Sequence, residues 1–533
     1  MEKRLVVIGL DGATFDLPKP WSKAGHLPNL RRLLEEGAHG ILKGTIPFTT
    51  LPAWTSLATG KGPGKHGCYD FRLPSDSLGH SRLITSRNIP GKTFYELLTE
   101  ADKRVTLINL PVSYPPRITG TVITSLMTQG SQCVFPLTLI DEVPGLASYR
   151  IIAESRTPDA IRAVEKERFE IAQQLFEREW DFFFLLFSGS DHISHEMYDQ
   201  MTQESPTAGG GQVFLDIDRY LGWFMDHLPS DTNLLVISDH GFRSYPAIFY
   251  VNSWLAQGGY LTLGGDVRPE GEDFLSKMED TPRQERRPGL RRLSQALFNH
   301  PRLYRLGKRI YHRLRSFLPL DLDLVSRGID LSQSVAYAAT NECKGIYIND
   351  RQRFADGIVA PSDVSPLREE IIAKLEALVD PFARQPVFSR VWRKEELYHG
   401  PYLDRAPDVI LESNVFISFL LRSAEPFEHT AVNYHNRDGI FLAWGPDVNG
   451  STVVSAAEIT DLAPTILHMM GFPIPEDMDG EVLHQMLEPG SEAAERAVRF
   501  CAGTGTELLD DEKQSQEDEQ LVKDRLRALG YWA

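Results

Sequence analysis

Three acids and three histidines in this chain stand where they could share metal ions. Asp11 closes the apolar run Leu5 to Leu10, Asp191 follows Phe182 to Phe187 after a short Ser-Gly-Ser link, and Asp239 follows Leu234 to Ser238. An acid at a strand end is ordinarily a helix cap or a turn former. Histidine in register sets these three apart. Asp191 and His195 are four residues apart and share one face if the segment is helical. Asp239 and His240 are adjacent at a strand end, where a loop can aim both at one ion, and His435 stands just before the apolar run Ile440 to Trp444. Asp11, Asp191, His195, Asp239, His240 and His435 are thus six hard or borderline ligands, enough for two adjacent divalent ions. Nitrogen and oxygen donors without thiolates suit zinc, with manganese or iron as alternatives.

A nucleophile candidate lies in Pro47-Phe48-Thr49-Thr50-Leu51-Pro52-Ala53-Trp54. Pro52 suits the first turn of a helix, which leaves Thr50 at or beside the N-cap. A capping threonine is the bland account. A helix terminus also attracts phosphate, and a nearby divalent ion would lower the hydroxyl's pKa enough to make it a nucleophile.

The elements that must position these groups follow from the pattern of apolar runs. Leu5 to Leu10, Val105 to Leu110, Phe182 to Phe187, Leu234 to Ile237 and Ile440 to Trp444 are short, and helical periodicity over Ala160 to Arg178 and Pro366 to Leu378 lies between them. This alternation predicts an α/β fold with a doubly wound, mostly parallel central sheet, in which ligands sit beyond the carboxyl ends of the strands. Thr281 to Ser316 carries eleven Lys/Arg against one acid, Glu285. With Leu293, Leu297, Leu306, Ile310, Leu314 and Phe317 at roughly helical spacing, it reads as a basic amphipathic insertion, docked on an acidic body or making peripheral membrane contact through 281–318. An acidic stretch around Leu508 to Glu519 precedes a last helix, Glu519 to Leu529.

The composition is that of a globular chain: 533 residues, 42% apolar and 24% charged, with 56 basic and 73 acidic side chains giving a net charge of −17. That charge argues against nucleic acid as a partner of the whole surface. Four scattered cysteines suggest neither a disulfide framework nor a thiolate metal site, and the N-terminal apolar run is too short for a signal-peptide core. A reducing, cytoplasmic location is the expectation.

In order, Gly9-Leu10-Asp11-Gly12, Thr50-Leu51-Pro52-Ala53-Trp54-Thr55-Ser56, Pro63-Gly64-Lys65-His66-Gly67, Asp191-x-x-x-His195, Ser238-Asp239-His240-Gly241 and His435 resemble the alkaline phosphatase superfamily, in its type I phosphodiesterase/nucleotide pyrophosphatase branch. The features run from about residue 4 to about residue 470 and end with the helix of Glu458 to Leu467. The resemblance implies an alkaline phosphatase-like catalytic domain, expected over 1–263 and 331–490; the change of composition marks 264–330 as the basic helical insertion and 491–533 as acidic linker and C-terminal helix. It implies that Asp191, His195 and His435 hold one zinc and Asp11, Asp239 and His240 the other. Thr50 would attack phosphorus in line, leave a phosphothreonine, and be freed by water. His192 matches no position of the motif and is left as a supporting or surface residue.

The pattern departs from its relatives after His66-Gly67, where characterised nucleotide pyrophosphatases carry an asparagine that helps hold a phosphate oxygen; here the chain runs Cys68-Tyr69-Asp70-Phe71. Lys61, Lys65 and Arg72 are candidates to replace it as an anion clamp. No arginine lies between Thr45 and Gly60, so the site is expected to favour a singly charged phosphoryl centre, as in a diester or pyrophosphate-type linkage, over a dianionic monoester. A remote arginine such as Arg243 or Arg437 would reverse that. A phosphomonoesterase, a phosphonate hydrolase and a non-catalytic metal-binding scaffold are the competing readings. A small phosphorylated substrate is the expected partner.

Overall fold

The computed structural model describes residues 3–74, 81–264, 329–421, 425–508, 516–529 and 531. Its centre is a nine-stranded sheet. In chain order the strands are β1 (Arg4–Leu10), β2 (Ala38–Lys43), β3 (Val105–Ile108), β4 (Thr121–Ile123), β5 (Val134–Phe135), β6 (Phe182–Phe187), β7 (Thr232–Ile237), β8 (Asp438–Trp444) and β9 (Ala457–Glu458). Across the sheet they run β9-β2-β8-β7-β1-β6-β3-β4-β5. The expected doubly wound, mostly parallel arrangement is present: β1 is parallel to both β6 and β7, and β3 continues the parallel run from β6. β8, the predicted strand after His435, is instead antiparallel to both its neighbours, β7 and β2.

The central strands read as continuous apolar runs because both faces are covered. Successive side chains of β1 alternate between two cores, Leu5 and Val7 on one face and Val6 and Ile8 on the other, and Phe182 to Phe187 of β6 divide the same way. Helices α1 (Thr50–Thr59), α2 (Pro158–Phe176), α3 (Gly189–Met201), α4 (Gly211–His227), α5 (Leu462–Met469) and α6 (Gln516–Leu529) frame the sheet. α1 and α5 pack on the first face, α2 and α4 on the second. Helix α2 starts at Pro158, before the apolar periodicity does, because Thr157 caps it by accepting from the Ala160 amide and Pro158 supplies a preset first turn. The helix expected from Pro366 runs over Pro361–Glu376, with Pro366 inside it.

A smaller four-stranded sheet (Ala336–Tyr337, Gly345–Ile348, Phe388–Arg393, Val409–Ser413) has its own core with Phe249, Ile371 and Leu375. The segment 281–318, read as basic and amphipathic, and residues 509–515 of the acidic stretch lie outside the described residues. No helix among the described residues is long and apolar enough to cross a membrane.

Candidate active site

Topology brings the three acids together. β7, β1 and β6 are adjacent and parallel, with Leu10 beside Phe187 and Gly9 beside Ile237, so the residues that follow them leave the sheet at one edge. Asp11, Asp239 and Asp191, the last in the first turn of α3, are all buried there. Backbone and hydroxyl groups fix the loops: the Gly12 amide donates to Asp239 Oδ1 at 3.2 Å, the Ala13 amide to Ser238 Oγ at 2.9 Å, and Ser190 Oγ to the Asp11 carbonyl at 2.6 Å. Gly12 is required: its φ is +63°, and a Cβ there would stand 2.8 Å from Asp191 Oδ1.

His435 reaches the site on a ribbon, Val432–Asn436 paired antiparallel with Gly241–Tyr245, which sets His435 opposite Phe242, two residues after His240. It lies within that strand rather than in the loop before β8. Two groups result, Asp191 with His240 and His435, and Asp11 with Asp239 and His240, each with donor atoms within 4.8 Å of one another. His195 adjoins the first, its Nε2 3.0 Å from His435 Nε2 and 3.5 Å from Asp191 Oδ1. His435 Nε2 is 3.2 Å from the same carboxylate oxygen. In the second group His240 Nε2 is 3.6 Å from Asp11 Oδ1 and 3.3 Å from Asp239 Oδ2. All six residues singled out in the sequence therefore share one cluster, buried except at His195, which is partly exposed.

This donor set fits divalent ions. Bonds of about 2.0–2.1 Å in a tetrahedron put neighbouring donors about 3.3 Å apart, the spacing found here. Asp11 Oδ1, Asp191 Oδ1 and Asp239 Oδ2 are buried without a hydrogen-bond partner, an arrangement that is costly unless a cation completes it. The histidines are neutral: burial holds His195 down to about 3 and drives His240 and His435 well below the ordinary imidazole value. His240 Nδ1 lies 3.1 Å from the Gly241 carbonyl, which can only accept. Its proton is on Nδ1, and the Nε2 lone pair faces the acids.

Burial, and then the charges of Asp239 and Asp191, raise Asp11 well above the usual carboxylate range; burial followed by Asp191 does the same to Asp239. A carboxyl raised in the folded state stabilises the fold below its unfolded pKa, and that contribution is lost as pH climbs through the raised value. The metal-free protein is therefore expected to lose stability as pH rises out of the acid range, while bound cations offset the loss. Melting curves with and without chelator should diverge as pH increases. A gap that is constant or narrows with pH would contradict this.

Thr50 opens α1, and Thr49, extended at the N-cap, makes no side-chain cap bond. Thr50 Oγ1 lies 3.4 Å from His240 Nε2, within the second group's own spacing. Pro63–His66 serves the scaffold: the Cys68 amide donates to His66 Nδ1, leaving the Nε2 proton for Ser56 Oγ of α1 at 2.9 Å. His192 is buried, not on the surface, and burial lowers it to about 4.

The expected anion clamps are committed elsewhere. Lys61 Nζ meets Asp477 at 2.6 Å and Thr504 at 2.7 Å, and Lys65 meets Asp479 at 2.5 Å. Arg72 offsets the charge of buried Asp70. Arg437 donates to the Gly44 carbonyl and Glu458, and Arg243 lies over the Tyr245 ring.

Sequence reasoning missed two neighbours of the site. Lys344, 6% exposed, holds its ammonium 4.5 Å from the Phe48 ring and 4.8 Å from that of Tyr434, which stacks on His435 and donates to Glu342. Burial lowers Lys344 to about 8 and raises Glu342 to about 8. Tyr531, from just beyond α6, puts its hydroxyl 2.5 Å from Asp191 Oδ2 and 3.5 Å from Thr50 Oγ1. Neither carried a local signal, since a lone lysine and a C-terminal tyrosine have no spacing to read.

The family described as type I phosphodiesterase / nucleotide pyrophosphatase matches residues 5–440. No curated protein matches the chain in sequence. Among solved structures, phosphonoacetate hydrolase from Sinorhizobium meliloti 1021 in complex with phosphonoformate is similar with a TM-score of 0.53 at 16% identity, covering 87% of this chain and 95% of that one. Murine ectonucleotide pyrophosphatase / phosphodiesterase 5, an inactive threonine-to-alanine variant in complex with AMP, is similar with a TM-score of 0.52 at 14% identity, covering 91% of this chain and 100% of that one.

Proposed function

The chain belongs to the type I phosphodiesterase/nucleotide pyrophosphatase family, hydrolases of phosphoric ester bonds within the alkaline phosphatase superfamily, and from that premise we propose that it cleaves phosphodiester or pyrophosphate-type linkages through a phosphothreonine on Thr50. The observation that carries this reading is Thr50 Oγ1 at 3.4 Å from His240 Nε2, beside two acid–histidine groups in which Asp11 Oδ1, Asp191 Oδ1 and Asp239 Oδ2 have no hydrogen-bond partner. Asp191, His195 and His435 would hold one divalent ion and Asp11, Asp239 and His240 the other, with zinc the best match to the donors. When bound, such ions supply the positive charge that ionises a hydroxyl and steadies phosphoryl oxygens. Thr50 Oγ attacks phosphorus as the bond to the leaving oxygen breaks. Water then displaces Thr50 in a second in-line step, and two inversions give net retention. The rigid N-terminal turn of buried α1 holds the attacking oxygen in place, which is where proximity contributes most.

Substrate charge follows from the cations around the site. Arg437 is engaged by the Gly44 carbonyl and Glu458, and Arg243 lies over the Tyr245 ring, which supports a singly charged phosphoryl centre. Lys344, buried against Phe48, offers its charge to a second anionic group, such as the outer phosphate of a pyrophosphate-type substrate. In a panel of matched substrates, kcat/KM is expected to be higher for an aryl phosphodiester than for its monoester. Metal analysis should find about two divalent ions per chain, as two three-residue ligand groups require. A monoester advantage of about tenfold or more, some 1.4 kcal/mol in transition-state binding, would overturn the substrate class. Phosphonate cleavage in the same panel would favour the carbon–phosphorus alternative.

A further inference from the structure

The C-terminal helix carries a residue into the site. Val522, Leu526 and Leu529, spaced for one helical face, are buried in the same core as α1 and α5. Arg525 donates to the carbonyls of Thr128 and Gly130, Arg156 donates to the Ala528 carbonyl at 2.6 Å, and the Tyr531 amide closes on the Leu526 carbonyl at 2.9 Å. The Tyr531 ring is stacked on Phe71 at 5.2 Å and meets His195 edge-on at 5.8 Å. It is fixed by packing on two sides before its hydroxyl makes any bond.

That hydroxyl has one proton and a carboxylate at 2.5 Å, so it donates to Asp191 Oδ2 and accepts from Thr50 Oγ1. The two oxygens of Asp191 are thereby separated in role. Oδ2 is held by the phenol, and Oδ1, with no partner of its own, faces His195 and His435. We propose that Tyr531 is a positioning residue for the first metal group, locking the Asp191 carboxylate so that Oδ1 is presented to an ion shared with the two histidines. A hydrogen-bonded partner behind a ligating carboxylate both orients it and shapes its basicity. The last helix is then part of the active site, although it lies more than 300 residues from Asp191 in sequence. This rests on the two-ion reading above.

The test is calorimetric titration of zinc into chelator-treated, full-length protein, with no substrate present. Wild type is expected to take two ions. Tyr531→Phe keeps the ring and its stack on Phe71, and is expected to bind one of the two about 10–100-fold more weakly while the other is unchanged. Arg525→Ala, which frees α6 from the Thr128 and Gly130 carbonyls, should weaken the same ion, and its effect should shrink in the Tyr531→Phe background because both act through one phenol. Equal affinities in wild type and Tyr531→Phe would overturn the proposal, as would equal weakening of both ions together with a lower melting temperature of the metal-free protein. A rise in turnover on Tyr531→Phe would mark the phenol as an obstruction and also overturn it. Wild type that binds no pair of ions would bring down the two-ion reading, and this inference with it. Two ions in wild type with an unaltered Tyr531→Phe isotherm would sink the inference alone.

Discussion

Thr50→Ala is expected to lower kcat by about 10⁴-fold or more, the scale on which enzymes lose activity with a covalent nucleophile, while Thr49→Ala loses less than about tenfold. The two threonines are adjacent and both buried, so composition does not separate them. Geometry does. Thr50 is the first helical residue of α1, and its Oγ1 points at His240 Nε2 and the Tyr531 hydroxyl. Thr49 is extended, its hydroxyl has no hydrogen-bond partner, and its structural work is done by the carbonyl that accepts from the Ala53 amide at 3.1 Å. Thr50→Ser, which keeps an attacking oxygen, should recover a large part of the loss, whereas a variant damaged only in packing would not be rescued that way. Quenched turnovers analysed by mass spectrometry should place the trapped phosphoryl group on the peptide containing Thr50. A phosphoryl group on Thr49, or the opposite ranking of the two alanine variants, would reverse the assignment.

Asp239→Asn is expected to remove one ion and at least about 10³-fold of turnover, because a divalent site with three protein ligands tolerates the loss of a charged one poorly. Asparagine retains an oxygen for the Gly12 amide, which Asp239 Oδ1 now accepts at 3.2 Å, so the turn after β1 should survive. What changes is the buried charge. Asp239 is raised by burial and then by Asp191, so in the metal-free protein ionising it costs more than in the unfolded chain. Metal-free Asp239→Asn should therefore melt at or above metal-free wild type at pH 7, although the loaded enzyme is nearly inactive. A site that binds cations costs stability when empty, and removing one of its charges recovers some of that cost. His435→Ala should also lose an ion and turnover, but with lower stability, since it leaves a cavity between Tyr434, His240 and Phe242. Full activity in either variant would remove that residue from the ligand set. A metal-free Asp239→Asn protein that melts below wild type would contradict the electrostatic argument.

What is local in this protein was legible from its residues. Apolar runs of a few residues ending in acids could only be buried strands with polar groups at their ends, and parallel strands side by side put those ends at one edge of the sheet. Asp11, Asp191 and Asp239 were legible for that reason, His195 and His240 because they share a helix face or a loop with an acid, and Thr50 because Pro52 marks the helix start. His435 was legible as a member of the acid–histidine cluster but not in its path, which runs through a ribbon paired with Gly241–Tyr245 before β8 inserts antiparallel between β7 and β2. Pairing direction is set by what each strand meets across the sheet, and a run such as Ile440 to Trp444 has the same composition either way. Which charged groups stand near Thr50 is set only by the tertiary fold. Lys61, Lys65 and Arg437 look available in sequence but are engaged by other groups, and Arg243 lies over the Tyr245 ring, while Lys344 and Tyr531, which have no motif, are buried beside the site. The physical reason is that a strand end or a helix cap is fixed by its own few residues, whereas contact between Tyr531 and Asp191 exists only because an apolar stripe on the last helix finds its place in the core.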